Sequence, residues 1–203
     1  PQMIHRITLT GLAPETRYQY AVQDAVGRWH PGTFRTAGPA NRPFTFLVYG
    51  DCRSNFDRHR SVVEAMLTEH AAFAVNTGDF VEDGAKPKLW RYFFRAEQPL
   101  LRHLAMYPVL GNHELKGSWN RGIAAVRRHF AVPLNGPQPG ITYSFTHGNS
   151  LFVVLNSNGS FVGTRQTAWA TRLIRNAATD RKIRHIFVFL HHSPYASGVH
   201  GEN

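Results

Sequence analysis

The chain has 203 residues, 42% of them hydrophobic, a formal net charge of +10 and one cysteine. That is enough for one ordinary packed domain, or one domain plus a fragment, and it excludes a disulfide-built scaffold, because Cys52 has no partner within the sequence. No run approaches the ~20 apolar residues a membrane-spanning helix needs, and no basic stretch interleaved with aromatics points to nucleic acid.

The excess of Lys and Arg is scattered along the chain, which suits a solvated basic surface; the sharper reading is a field that attracts anionic substrates. The chain opens at Pro1-Gln2-Met3-Ile4, already close to a strand. Its natural start is therefore expected upstream, and the absence of a leader peptide says nothing about location.

Residues 3–36 predict three short strands. His5, Ile7 and Leu9 alternate with polar residues, and so do Tyr18, Tyr20 and Val22. The third, Arg28 to Thr36, is interrupted by Pro31-Gly32. Ala37 to Pro43, with two prolines and a glycine, predicts an extended linker. Phe44 to Tyr49 is a continuous apolar run, the pattern of a strand buried on both faces.

A helix is expected from about Asn55, with Val62, Val63, Met66 and Leu67 on one stripe. Strand Ala71 to Val75 follows, then helix Lys88 to Arg95. Pro99 is expected to end or kink that helix before a second short one. Met106 to Leu110 is the next strand. Trp119, Ile123, Val126 and Phe130 fit one helical face. Ile141 to Thr146 and Leu151 to Leu155 predict a hairpin around Gly148-Asn149. Thr164 to Ala178 reads as helix and Arg184 to Leu190 as the last strand. Strands alternating with helices predict an α/β architecture.

Chemistry gathers where the strands end. Gly50-Asp51, Gly78-Asp79, Gly111-Asn112-His113-Glu114 and His191-His192 each follow an apolar run. Each Asp alone reads equally well as a turn or helix-cap residue. Four strand ends that all carry oxygen or imidazole donors argue for a common site, because ligands in open α/β sheets gather at the carboxyl ends of strands. Carboxylates suit hard cations and imidazole suits zinc, iron or manganese.

Gly-Asp, Gly-Asp, Gly-Asn-His-Glu and a strand ending in His, in that order, resemble the calcineurin-like metallophosphoesterase superfamily. Within it the likeness is to purple acid phosphatases and their bacterial relatives. The resemblance implies a four-layer α/β sandwich over residues 44–203. It also implies two divalent or trivalent metal ions (Fe, Zn or Mn) that hydrolyse phosphate esters through an activated hydroxide. Asp79 would bridge the ions. Asp51 would bind the first ion, and Asn112 and His191 the second, His191 being favoured over His192 because Pro194 and Tyr195 follow it. His113 would face the substrate as a charge stabiliser or proton donor. Arg53 and His200 are further substrate-facing candidates.

Leu9 to Tyr20 resembles the end of a fibronectin type III domain, where a Tyr after the turn ties a corner of the sandwich, so residues 1–39 are read as a partial β module. Gln166 and Trp169 match a packing element of the acid phosphatase group. His59 is read as a surface residue and Cys52 as a small buried one, not a ligand.

Three departures from the pattern stand out. Glu82 occupies the place of the tyrosine that colours the purple enzymes, so an iron-tyrosinate site is not expected. Arg53 stands where many members have a metal-binding His. The closing Gly-His-x-His, which gives one imidazole to each metal, is not matched by Gly198-Val199-His200-Gly201 and is expected beyond Asn203. The expected activity is hydrolysis of small-molecule phosphomonoesters, by a secreted or periplasmic protein. The alternatives are a phosphodiesterase or nucleotidase, or a non-catalytic binding protein with a degenerate site. The loops 84–88 and 116–120 carry no residues that decide between them.

Overall fold

The structure, a computed structural model, describes residues 4–159, 163–195 and 197. Its centre is a pair of three-stranded sheets. The first has the parallel order β3 (Phe46–Tyr49), β4 (Phe73–Asn76), β5 (Ala105–Pro108). The second contains β6 (Tyr143–His147), β7 (Ser150–Val154) and β8 (His185–Phe189); β6 pairs β7 antiparallel and β7 pairs β8 parallel.

Period-two alternation sorts the side chains into layers. Phe46, Phe73 and Val75 face Phe152, Val154 and Phe187 across the gap between the sheets. Aromatic rings fill that gap edge to face, with Phe46 at 5.2 Å and Phe73 at 5.1 Å from the Phe152 ring. Leu47 and Tyr49 point the other way, onto Val63 and Met66 of α1 (Phe56–Met66) and Leu100 of α2 (Pro87–Leu101). On the far side Leu151 and Val153 meet α4 (Arg165–Thr179) through Trp169, Leu173 and Ala177. The result is helix, sheet, sheet, helix: the expected four-layer sandwich. A further cluster joins α2 to α3 (Trp119–His129) through Phe80, Trp90, Phe93, Val126 and Phe130.

The helices start where capping chemistry allows. The Asn55 side chain accepts the Arg58 amide at 3.0 Å, and the Ser118 side chain accepts that of Arg121. The expected break at Pro99 does not occur, and α2 runs through it. Proline cannot supply the amide that would bond the Arg95 carbonyl. Arg60 of α1 supplies it instead, its guanidinium donating to that carbonyl at 3.3 Å.

The N-terminal segment forms two strands, not three: β1 (Arg17–Gln23) and β2 (Trp29–Arg35), antiparallel. Residues 5–9 form no strand, and Ile7 is 82% exposed. Alternation alone does not make a strand; a partner must accept its ladder, and none of the described residues does. Tyr18 accepts the Ala13 amide at 2.8 Å, closing the corner. The hairpin rests on the end of α2, where the Thr33 amide donates to the Arg102 carbonyl at 2.9 Å.

His129, at the end of α3, packs on Trp90 with ring centroids 4.9 Å apart. Burial, and secondarily Arg128, lowers its pKa to about 4. The folded state thus favours the neutral ring, and between the folded value and the ordinary ~6.5 the unfolded chain binds more protons. Stability should fall as pH drops through that window. The partly exposed ring limits the loss to about 1–2 kcal/mol. Urea midpoints measured from pH 7 to pH 4 should show a shallower acid-side slope in His129→Gln than in the wild type; equal slopes would refute the assignment.

Candidate metal centre

The parallel register sets Tyr49, Asn76 and Pro108 side by side. The loops that follow therefore leave the sheet at one level and carry Asp51, Asp79 and Asn112 to one spot. Leu190-His191 arrives from the end of β8. Asp51 (φ 55°) and Asp79 (φ 57°) both adopt the left-handed region, which Asp tolerates better than most residues. Gly78 (φ 106°) needs to be glycine, and a Cβ on Gly111 would lie 2.3 Å from the Asp79 amide nitrogen.

Ligand atoms of Asp51, Asp79 and His191 lie within 4.8 Å of one another. His191 Nδ1 is 2.9 Å from the Thr77 carbonyl, so in the neutral ring that nitrogen carries the proton. Its Nε2 lone pair then points at Asn112 Oδ1 (3.0 Å) and Asp79 Oδ1 (3.4 Å). Three lone pairs meeting at one point repel unless a cation lies among them. A carbonyl on the far nitrogen is also the usual support of a metal-binding imidazole. The donors on this side fit a metal ion.

The Asp51 side is different. Arg53 Nη1 lies 3.3 Å from both Asp51 Oδ1 and Asp79 Oδ2, and its Nε lies 3.3 Å from Glu82 Oε2. One guanidinium thus faces three carboxylates.

His113 does not join the donors. Its amide donates to Asp79 Oδ1 at 3.0 Å. Its ring Nδ1 lies 3.1 Å from the Glu82 carbonyl and 3.2 Å from the Glu82 carboxylate, while Nε2 faces Asp79 Oδ2 at 3.8 Å. Lys116 is hydrogen-bonded to that carboxylate and, with His113 and Arg53 nearby, holds Glu82 below the usual carboxylate range. The loop 116–120, which looked uninformative, thus contributes a cation that steadies the His113 support. His192 turns to Ser157, with Nδ1 at 2.8 Å from its hydroxyl. His200 lies outside the described residues.

Sequence reasoning missed the residue that binds the loops together. Glu114 is fully buried, and its carboxylate accepts the amides of Asp79 (3.0 Å), Gly111 (2.9 Å) and Val81 (3.3 Å). Burial pushes its carboxyl up to about 7 against these hydrogen bonds. Its place in the Gly-Asn-His-Glu motif was the available signal. His59 is not on the surface: it is 6% exposed, with Nε2 at 2.6 Å from Glu97 Oε1. A lone His on a helix gave no sign of a carboxylate facing it from another helix. Cys52 is partly buried, and burial pushes its thiol up to about 12, which rules out a free thiolate nucleophile at neutral pH.

Two stacked sheets, helices outside, and carboxylate, amide and imidazole donors meeting at parallel strand ends define the metallophosphoesterase class. The chain belongs to the calcineurin-like phosphoesterase family, whose family model matches residues 44–203. It is 27% identical over 223 aligned residues to an uncharacterized protein of Mycobacterium tuberculosis, covering 93% of this chain and 42% of that protein. It is 26% identical over 197 aligned residues to purple acid phosphatase 13 of Arabidopsis thaliana, covering 76% of this chain and 36% of that one. The chain thus spans about two-fifths of the length of these relatives.

Among solved structures, purple acid phosphatase from yellow lupin (Lupinus luteus) seeds superposes with a TM-score of 0.77 at 18% identity, covering 94% of this chain and 39% of that one. A dimetal phosphatase from Danio rerio gives 0.51 at 15% identity, covering 73% and 69%. No helix among the described residues is long and apolar enough to cross a membrane.

Proposed function

We propose that this chain carries the dinuclear site of a purple acid phosphatase-like enzyme that hydrolyses small-molecule phosphomonoesters. The observation that carries this reading is the convergence of Asp79, Asn112 and His191 lone pairs beside Asp51. Asp79 would be shared between the two ions, Asp51 would hold the first, and Asn112 and His191 would hold the second; iron, zinc and manganese all suit this donor set. Bound there, the ions supply an activated water and neutralise charge on the phosphoryl group.

The protein's own groups do the rest. Glu82 holds the His113 ring through Nδ1–H, so the doubly protonated ring can give its Nε2 proton to the departing alkoxide oxygen and be left as the neutral Nδ1–H form. Arg53 sets a guanidinium beside Asp51 and Asp79, where its fork can meet a phosphate oxygen. His200 is the further substrate-facing candidate. Residues 1–39 act as a fibronectin-like structural module, residues 44–203 as the phosphoesterase domain, and the protein works outside the cytoplasm, as the family resemblance implies.

The test is hydrolysis of an aryl phosphate against the matching bis-aryl phosphate and a nucleotide, before and after chelation and metal return. Activity should vanish with chelation and recover with metal, and kcat/KM should favour the monoester by about tenfold or more. A preference for the diester would overturn the monoesterase reading.

A further inference from the structure

We propose that Cys52, His59 and Glu97 form a second metal site, one that binds zinc through a thiolate, in the layer behind the strand-end donors. The three side chains offer ligand atoms within 4.8 Å of one another. They come from three elements: the loop after β3, α1 and α2. Glu97 is fully buried, and its Oε2 has no hydrogen-bond partner. An unpaired, buried carboxylate oxygen is costly, and it calls for a cation.

The rest of the pocket suits such an ion. Tyr49 donates to Glu97 Oε1 at 2.8 Å and so orients the carboxylate. The Asn76 side-chain amide donates towards Cys52 Sγ at 3.6 Å and so fixes where the sulfur sits. One thiolate and one carboxylate neutralise a divalent ion, and a neutral imidazole completes three protein ligands, with room left for a fourth. Sulfur selects zinc over magnesium or calcium, and the ion displaces the thiol proton outright. A cavity of about 320 Å³, walled by Cys52, His59, Phe80 and Phe93, gives an entry path.

A simple imidazolium–carboxylate pair between His59 and Glu97 accounts for Oε1 only. It leaves Oε2 unpaired and gives the thiol no role. The zinc would clamp the Asp51 loop to α1 and α2. Asn76 would extend that clamp to the Asp79 loop, because its Oδ1 accepts the Gly78 amide at 3.0 Å.

Cys52 is the only cysteine of the sequence, and the strand-end donors contain no sulfur. Cobalt therefore separates the two sites. The protein is stripped and reloaded with Co²⁺. A thiolate-to-cobalt charge-transfer band should appear in the wild type, disappear in Cys52→Ser and persist in Asp79→Asn. Zinc content should fall by about one ion per chain in both Cys52→Ser and Glu97→Gln. A wild-type cobalt spectrum without that band overturns the proposal without recourse to any variant. A band that survives Cys52→Ser, or zinc content unchanged in that variant, overturns it as well.

Discussion

Asp79→Asn is expected to lower bound metal and turnover together, the latter on the order of 10³-fold or more, because groups that act as a unit fail as a unit. The Asp79 side chain is 3% exposed and both its oxygens are committed. Oδ1 accepts the His113 amide and lies near His191 Nε2, while Oδ2 faces Arg53 and His113 Nε2. Asparagine keeps the shape and one acceptor. It removes the negative charge that two cations would share, and it offers Arg53 or His191 a donor where an acceptor stood. Metal content by elemental analysis and hydrolysis of an aryl phosphate are the two readouts. Normal metal with normal turnover would rule out the bridging role.

His113→Ala is expected to cost on the order of 10²–10⁴ in rate, the usual worth of a general acid, and to leave metal content near wild type. The separation of the two effects follows from geometry. The backbone amide that supports Asp79 survives the substitution, and only the ring held by Glu82 is lost. Esters with poor leaving groups, which need the proton most, should suffer most. A uniform loss across leaving groups would remove the general-acid role, and loss of metal would place His113 among the ligands instead.

What could be read from the sequence divides along physical lines. The layers were legible because an apolar run such as Phe46 to Tyr49 is a property of consecutive residues. The strand-end donors were legible because their chain order is itself a pattern, and the structure brings Asp51, Asp79, Asn112 and His191 to one spot. Contacts between distant elements left no local trace. His59 meets Glu97 across 38 residues, and Arg60 reaches the Arg95 carbonyl across 35. The three amides gathered by Glu114 are hidden in the same way: the Gly-Asn-His-Glu motif marks the residue but not its partners, two of which lie more than 30 positions away. Pro99 misled for a related reason: the helix-breaking rule concerns an unmet carbonyl, and here another helix met it.

The separation of His191 from its neighbours also sets an order of assembly in the cell. The ring closes on Thr77 across 114 residues and on Asn112 across 79. At ribosomal rates of about 5–20 residues per second, roughly 6 to 23 seconds pass between synthesis of the Thr77 loop and synthesis of His191. For that interval Asp79 exists without the His191 ring that lies 3.4 Å from it in the fold. Arg53, made in the same breath as Asp51, is the counter-charge at hand, so the nascent carboxylates can be neutralised before the His191 ring is made.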